Sequence, residues 1–438
     1  MKFESEDIVF TPITSLLSEV IDNRGRTCPT AEIGIPLIAT NCIGNENLYP
    51  VKKNIRHVSL ETYNTWFRGH PEPGDVIFVN KGTPGRVCLV PDPIDFCIAQ
   101  DMVSLRVNEH INNLYLLAAI RSPQVQNQIQ QMQVGTMIPH FKKGDFEKLL
   151  IPMRDMPTQR AIGKIYFELS QKIDVNERTS KTLEEIAQTI FKSWFIDFDP
   201  VKSKMAGEKP ESMDAATAAL FPDFMEESEL GLIPKGWLVG SLGDIADLQG
   251  GYAFKSSSWM ENGVPVIKIG SVKPGFVDLT QVSYVDVSTA EAIPDVYRIP
   301  AGSLVVGLTG YVGQVGLVRT HDPVPLVNQR VAKFKLNSGE WKIPYIYCFT
   351  RGEKFKGIVE ELATGTAQQN VSNSQILSIP MVIPSQDIRE MFDNSLKTFF
   401  HQIINLADEN ESLKFIRDAL LPRLISGELQ IPDEMLAS

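Results

Sequence analysis

The chain contains the same residue pattern twice, at an offset of about 230 residues, and this repeat constrains its fold more than any other feature. Residues 74–90 align with residues 302–318 without a gap, and the three glycines of the first segment coincide with glycines of the second. Further matches follow in the same order: 34–38 with 263–267, 98–100 with 327–329, 135–136 with 365–366, and 150–152 with 382–384. The repeat predicts two similar globular domains that form an internal pseudo-two-fold repeat.

Each copy has the sequence pattern of an α+β fold. Short β-branched runs between Gly, Pro and Asn, such as 76–79 and 304–306, predict strands. The Gly-rich segments 81–85 and 309–313 are similar to phosphate-binding loops, but they lack the GxxxxGK[ST] pattern. We therefore interpret both segments as tight turns between strands.

A long amphipathic segment follows each copy. Apolar residues recur at spacings of 4 and 3, which predicts two helices of about 38 residues and about 57 Å that pair as an antiparallel coiled coil and act as spacers. The heptad positions are Ile162, Tyr166, Leu169, Ile173, Asn176, Ser180, Leu183, Ala187 and Ile190, matched by Phe392, Leu396, Phe399, Ile403, Leu406, Asn410, Leu413, Arg417 and Leu420. The alternative interpretation is two ordinary core helices.

The antiparallel pairing has one expected register. With the midpoints of the two segments aligned, Asn176 lies opposite Asn410, and Ile173 lies opposite Leu413. A buried asparagine pair in one layer fixes the register of a coiled coil at some cost in stability. We therefore predict that Asn176 and Asn410 set the register of the helix pair.

These patterns divide the chain into six segments. They are a first globular domain (1–157), a first long helix (158–198), a linker (199–234), a second globular domain (235–385), a second long helix (386–426) and a C-terminal tail (427–438). The linker is acidic and has no sustained apolar period, so we expect it to be mostly irregular, with a short helix within the Ala-rich residues 213–220.

The net charge of −11 argues against nucleic acid as a partner only if the chain is taken as a whole. The segments 199–234 and 386–438 carry −5 each, whereas 1–157 and 235–385 carry −2 and +1. Two nearly neutral domains can bind DNA through local basic faces or with basic partner subunits. The sequence has no apolar stretch near the ~20 residues of a membrane span and begins with an acidic segment, so we expect a cytoplasmic protein without a membrane partner.

The sequence contains no complete catalytic or metal-binding pattern. The five cysteines have no CxxC spacing, and the six histidines have no HxH or HxxxH spacing, so neither a metal site nor a histidine-based triad is indicated. The chain contains no Pro-Pro pair and therefore no (N/D/S)PP(F/Y/W) loop of an adenine methyltransferase, and ATP hydrolysis lacks a Walker loop. Pro294, Asp295 and residues 340–342 match a nuclease motif, but the first copy has no counterpart.

Four motifs carry a resemblance to a known family. They are FKSWFIDFDPV at 191–201, LFPD at 220–223, GLIPKGW at 231–237 and LLPRLISGEL at 420–429. Together with the two-copy layout, they resemble the specificity subunits of type I restriction-modification systems over essentially the whole chain. The resemblance implies two inverted target-recognition domains at the ends of an antiparallel helix pair.

The resemblance also implies a function and partners. Each domain would read one half of an asymmetric, bipartite target in double-stranded DNA. Two methyltransferase subunits would use S-adenosylmethionine to methylate adenine, and two restriction subunits would use ATP and Mg to translocate and cleave DNA. The specificity subunit itself would be non-catalytic and hold no cofactor or metal. The alternatives are a nuclease or methyltransferase with a degenerate motif, and a coiled-coil scaffold that binds protein.

No motif identifies the residues that read DNA, so candidates are taken from basic residues near Gly, Asn or Pro in expected loops. In the first domain they are Arg24, Arg26, Lys52, Lys53, Arg56, Lys142 and Lys143. In the second domain they are Lys255, Lys268, Lys273, Arg330, Lys354 and Lys356. The alternative for each residue is a solvated surface charge.

Overall fold

The two copies of the repeat fold into the same arrangement of strands. The structure, a computed structural model, describes residues 8–23, 25, 27–135, 137–336, 343–363 and 369–436. Its contacts divide the chain into a first unit, Met1–Asn176 with Asn410–Ser438, and a second unit, Glu177–Glu409. Each unit therefore holds one copy of the repeat and parts of both long helical segments.

The described residues of the first unit form nine strands. They are β1 (Val9–Pro12), β2 (Leu17–Asp22), β3 (Ile35–Ile38), β4 (Arg56–Val58), β5 (Val76–Val79), β6 (Val87–Leu89), β7 (Cys97–Ile98), β8 (Met102–Val107) and β9 (Leu150–Met153). They form the sheets β1-β9, β2-β8-β5-β6 and β4-β3-β7. The strands β3 and β7 are parallel, with Ile38 beside Ile98.

The second unit repeats these sheets with additions. Its strands are β10 (Met225–Ser228), β11 (Gly231–Pro234), β12 (Leu238–Ser241), β13 (Ala246–Gly250), β14 (Val264–Ile267), β15 (Gly275–Phe276), β16 (Ser283–Val285), β17 (Leu304–Gly307), β18 (Val315–Leu317), β19 (Leu326–Val327), β20 (Val331–Leu336) and β21 (Pro380–Ile383). The sheets β12-β21, β13-β20-β17-β18-β15 and β16-β14-β19 follow the order of the first unit, with β15 added, and β10 pairs with β11. The parallel strands β14 and β19 place Ile267 beside Val327, so the prediction of a repeated α+β fold is confirmed.

The helices follow the same repeat. They are α1 (Leu60–Thr65), α2 (Asn113–Arg121), α3 (Pro123–Met132), α4 (Met156–Phe195), α5 (Asp199–Met205), α6 (Ala215–Leu220), α7 (Val287–Glu291), α8 (Ile343–Arg351), α9 (Glu353–Leu362), α10 (Asn373–Leu377), α11 (Gln386–Ile425) and α12 (Asp433–Leu436). The equivalent helices α1 and α7 begin with equivalent caps: the Thr62 N–H donates to Ser59 Oγ, and the Thr289 N–H donates to Asp286 Oδ1.

The central strands explain why their sequences are apolar without interruption. In β5, Val76 and Phe78 face one core, while Ile77 and Val79 face another on the opposite side of the sheet. The equivalent strand β17 is buried along its whole length in the same way. A strand that is buried on both faces does not need polar residues at alternate positions.

The Gly-rich segments are turns, as predicted. They connect β5 to β6 and β17 to β18, and both strand pairs are antiparallel. The Gly85 N–H donates to Val79 O, and the Gly313 N–H donates to Gly307 O, each at 3.0 Å. Gly85 and Gly313 have φ angles of +85° and +70°, which favour glycine.

Both long segments are continuous helices of 40 residues, and their ends differ from the predicted bounds by at most three residues. Every predicted heptad position is buried or half-buried. In the first unit, Tyr166 contacts Arg417 while Asn176 contacts Asn410, so residue numbers rise along one helix as they fall along the other. In the second unit, Phe191 and Phe195 contact Phe392.

The expectation of a mostly irregular linker at 199–234 is wrong. This segment contains α5, α6 and the β10-β11 hairpin, of which only α6 was expected. Val201, Phe221 and Ile233 are buried in the core of the second unit. These apolar residues are too widely spaced to produce a periodic signal, and burial against the rest of the unit selects their conformation.

Candidate nucleic-acid interface

In each unit, three loops meet where the parallel strands end. In the first unit they follow β3, β5 and β7, and in the second they follow β14, β17 and β19; we call this surface the loop face of each unit. The Asn80 N–H donates to Asp101 O, and in the second unit the Leu308 N–H donates to Arg330 O, both at 2.9 Å. These backbone bonds join the loop after the hairpin strand to the loop after the parallel strand. Side chains from distant parts of the sequence therefore share one surface.

A further segment closes the loop face. The Phe141 N–H donates to Asn80 O at 2.8 Å, and the Val371 N–H donates to Leu308 O at 2.9 Å. In the segment before Phe141, Met137 is 95% exposed, and at the tip of the second unit's hairpin, Tyr311 is 62% exposed. Exposed apolar side chains at a loop tip can contact the methyl group of thymine or a base face.

The loop face of the second unit contains a cleft of about 300 Å³. It is lined by Phe254, Ser256, Trp259, Lys268, Ile269, Asn328, Gln329 and Arg330. Lys268 directly follows β14, and Asn328 directly follows β19. Because β14 and β19 are parallel, their carboxyl ends lie at the same edge of the sheet and bring these residues together.

Lys268 is the central charge of this cleft. Its Nζ lies 3.5 Å from the centroid of the Trp259 ring, a cation–π contact that orients the ammonium group. Burial lowers the pKa of Lys268, and the positive charge of Arg330 lowers it further. Within the part of the chain that the structure describes, neither Lys268 nor Arg330 is paired with a carboxylate.

Local hydrogen bonds hold the walls of the cleft. The Arg330 N–H donates to Asn328 Oδ1 at 3.2 Å, which fixes the turn after β19. The Tyr252 N–H donates to Val327 O at 2.8 Å and thereby attaches the preceding loop to the end of β19. A Cβ at Gly251 would lie 2.2 Å from Asn328 O, so this close approach requires glycine.

The loop face of the first unit has different residues at the equivalent positions. The strand registers place Ala39 where the second unit has Lys268, and Asp101 where it has Arg330. Two of its cations, Lys53 and Arg56, come from β4 and the loop before it, and the exposed Lys81 lies in the loop after β5. Asn41 Nδ2 donates to Lys53 O at 2.8 Å, and Arg56 pairs with Leu37 near the end of β3.

The predicted DNA-contacting residues are only partly brought together. Lys53, Arg56, Lys268 and Arg330 lie at the loop faces, and the exposed Lys255 precedes a 3-10 turn beside the cleft. Lys52 forms an ion pair with Asp95, and Lys143 forms one with Asp22 at the end of β2. Lys142 is exposed beside Lys143, while Arg24 and Arg26 lie outside the described residues.

The other candidates of the second unit lie on other elements. Lys273 is exposed in the turn before β15, and its N–H donates to Phe276 O. Lys354 and Lys356 lie on α9, and Lys356 is 3.5 Å from Glu360. Lys354 lines a separate cleft of about 880 Å³ formed by the end of α4, α8, α9 and β21.

The uncharged residues of the cleft were not among the residues expected from the sequence. Trp259 and Phe254 shape its walls, and Gln329 provides an exposed amide beside Arg330. Aromatic residues interleaved with Lys255 in 252–259 are a signal that could have identified this loop.

The structure also places the residues that were considered for catalytic and metal-binding chemistry. Among the described residues, no group of three or more His, Cys, Asp or Glu side chains could hold a metal ion. Asp295 of the nuclease motif is 95% exposed and pairs with Arg298, and residues 340–342 lie outside the described residues. All five cysteines are free and buried, and burial raises the pKa of Cys97 to about 12. The described helices include none that is long and apolar enough to span a membrane.

The fold and its two loop faces define a duplicated recognition protein whose copies present different side chains on one scaffold. A family model described as the type I restriction modification DNA specificity domain matches residues 20–185 and again residues 234–414. The chain therefore belongs to the family of type I restriction-modification specificity subunits.

Two curated specificity subunits are similar to the chain in sequence, and a solved structure shares its fold. The HindI specificity subunit of Haemophilus influenzae is 27% identical over 404 residues, covering 81% of this chain and 86% of that protein. The MjaIX specificity subunit of Methanocaldococcus jannaschii is 23% identical over 429 residues, covering 95% and 93%. The S subunit from M. genitalium has a TM-score of 0.55 at 16% identity over 97% of both chains, which shows a shared fold.

Proposed function

We propose that this subunit reads a bipartite DNA target, with each loop face recognising one half and with catalysis left to partner subunits. The observation that carries this proposal is the contrast between Lys268 with Arg330 and Ala39 with Asp101 at equivalent positions of one fold. Two copies of one fold can enter DNA grooves of the same geometry. Their different side chains then present different donors and acceptors to the base edges. The target is therefore asymmetric.

The long helices act as spacers in this proposal. A coiled coil of α4 and α11 holds the two readers at a fixed separation, and unread bases lie between the half-sites. Two readers that meet one face of the duplex have half-sites about one helical turn apart, or roughly 10 base pairs from centre to centre.

The partners are proposed from the family. Two methyltransferase subunits supply S-adenosylmethionine-dependent methylation of adenine, and two restriction subunits supply translocation and cleavage driven by ATP with Mg. The complex works in the cytoplasm, where it meets genomic DNA.

The test is methylation mapping with the partner subunits present. Replacing residues 1–157 by the equivalent domain of a relative is expected to change one half of the methylated sequence and leave the other half intact. Changes in both halves would refute the two-reader proposal.

Binding by purified protein separates the alternatives. Sequence-selective binding to a duplex, by the chain alone or with its methyltransferase partner, is expected at moderate salt. Cleavage or methyl transfer by the isolated chain would instead favour a degenerate enzyme, and the absence of DNA binding would favour a protein scaffold.

A further inference from the structure

We propose that the cleft at the carboxyl ends of β14 and β19 binds one backbone phosphate of the target duplex, with Lys268 and Arg330 as its cationic ligands. This inference rests on the proposed DNA-reading function and assigns one contact within it. The residues at the equivalent positions of the first unit are Ala39 and Asp101, so the phosphate anchor belongs to the second reader.

The charges of the cleft favour an anion. Lys268 is half-buried, and Arg330 lies close enough to disfavour its charged form. Elsewhere in the second unit, Arg298 pairs with Asp295 at 3.1 Å, and Arg351 pairs with Glu184 at 3.0 Å. Lys268 and Arg330 form no such pair with any described residue. A bound phosphate would lie between the two positive charges and offset their repulsion. It would also accept charge-assisted hydrogen bonds from both side chains.

The cleft is also preorganised for a small ligand. Trp259 holds the Lys268 ammonium from one side, and Asn328 fixes the backbone of Arg330. A ligand site whose side chains are already oriented loses less conformational entropy when it is filled. The open cleft of about 300 Å³ accommodates a phosphodiester group, and its two cations offer only hydrogen-bond donors.

Phosphate is favoured over a base edge because of its charge. A guanine edge in the major groove also offers acceptors to Lys and Arg, but it is neutral, whereas a backbone phosphate carries the full negative charge that two neighbouring, unpaired cations require. Lys268 and Arg330 supply donors and charge. The neighbouring Gln329 amide remains exposed beside them and is available for a base.

The experiment uses the full chain in complex with its methyltransferase subunits. The probe is a labelled duplex that contains the target found by methylation mapping, together with duplexes that each carry one base-pair change. Affinity is measured over a range of salt concentrations for the wild type and for the double variant Lys268→Gln, Arg330→Gln.

Affinity falls as salt concentration rises, so the slope of log affinity against log salt concentration is negative. In the double variant we expect this slope to become shallower by about 0.9, the value for one lost phosphate contact. The double variant should weaken binding to all duplexes by the same factor and leave the methylated sequence unchanged. The charge-conserving double variant Lys268→Arg, Arg330→Lys should retain the wild-type slope and shows that the loop still folds. Lys202→Gln, which removes an exposed charge from α5, is the matched control and should also retain that slope.

Two results would overturn the proposal. One is an unchanged salt slope in the Gln double variant, and the other is a loss of discrimination confined to one base pair, which would indicate base readout. If the wild-type complex itself bound no duplex selectively, the proposed function would fail, and this outcome is distinct from failure of the phosphate site alone.

Discussion

Asn176 Nδ2 donates a hydrogen bond to Asn410 Oδ1 at 2.9 Å, and Asn410 Nδ2 donates to Ile173 O at 3.3 Å. Both asparagine side chains are buried, with 1% and 5% of their surface exposed. A shift of either helix by one turn would separate the two amides in an apolar environment. The contact therefore ties the pairing of α4 and α11 in the first unit to one register.

Replacing one asparagine should cost more than replacing both. Asn176→Leu removes the donor to Asn410 Oδ1, and the loss of a buried partner costs about 1–3 kcal/mol of unfolding free energy. Asn410→Leu should cost a similar amount, whereas the double variant restores an apolar layer and is expected to lie near the wild type. Urea unfolding of the four proteins gives the coupling energy, and strictly additive losses would contradict the contact.

Gly163 allows α4 to approach the start of α2. A Cβ at this position would lie 2.7 Å from the Tyr115 backbone nitrogen and 2.9 Å from Asn112 Oδ1. Gly163→Ala should destabilise the protein, because overpacking costs about 1–3 kcal/mol and outweighs a gain in helix propensity of about 1 kcal/mol.

Gly357 provides the matched control for this substitution. It lies in α9, and a methyl group added at its Cα would meet open space, so Gly357→Ala should stabilise the protein by about 0.5–1 kcal/mol. Thermal unfolding compares the two variants, and shifts of the same sign would show that the close approach of α4 and α2 is unimportant.

His70 should make the first unit sensitive to acid. Its ring stacks on Tyr63 with centroids 3.8 Å apart, and burial lowers its pKa below the usual value. The folded state therefore binds the proton less readily than the unfolded state does. The stabilising contribution is complete above about pH 6.5 and is lost as the pH falls through the folded pKa.

The test compares melting temperatures at about pH 7.5 and about pH 5. His70→Gln cannot take up a proton and should lose less stability than the wild type over this interval. His110→Gln replaces an exposed histidine and should behave like the wild type. An identical acid sensitivity in His70→Gln and the wild type would argue against this role of His70.

Lengthening both long helices should lengthen the spacer of the DNA target. One added heptad in α4 and one at the matching level of α11 extend each helix by about 10.5 Å, or about three base pairs. Methylation mapping should find the same two half-sequences with a wider gap. Exchanging a heptad without changing the length is the control, and altered half-sequences with an unchanged gap would refute the spacer role.

Periodic features of the molecule were predictable because they repeat within the sequence itself. The offset between the copies predicted that Gly85 and Gly313 would occupy equivalent turns, and the aligned midpoints of the two heptad segments placed Asn176 opposite Asn410. The family motifs at 191–201 and 420–429 were visible in the sequence as well. The sequence did not show that their apolar side chains belong to the hydrophobic cores of the two units. Phe191 and Phe195 are buried in the second unit, and Leu421 and Leu424 in the first.

The sequence by itself determined the duplication, the helical periodicity and the family. Only the tertiary structure decided that Lys268 and Arg330 share a cleft over Trp259, while Lys354 and Lys356 lie apart on α9. The difference has a physical reason. Helix and repeat patterns arise from residues at regular separations, whereas the cleft depends on the parallel pairing of β14 with β19, whose hydrogen bonds join segments that no local spacing connects.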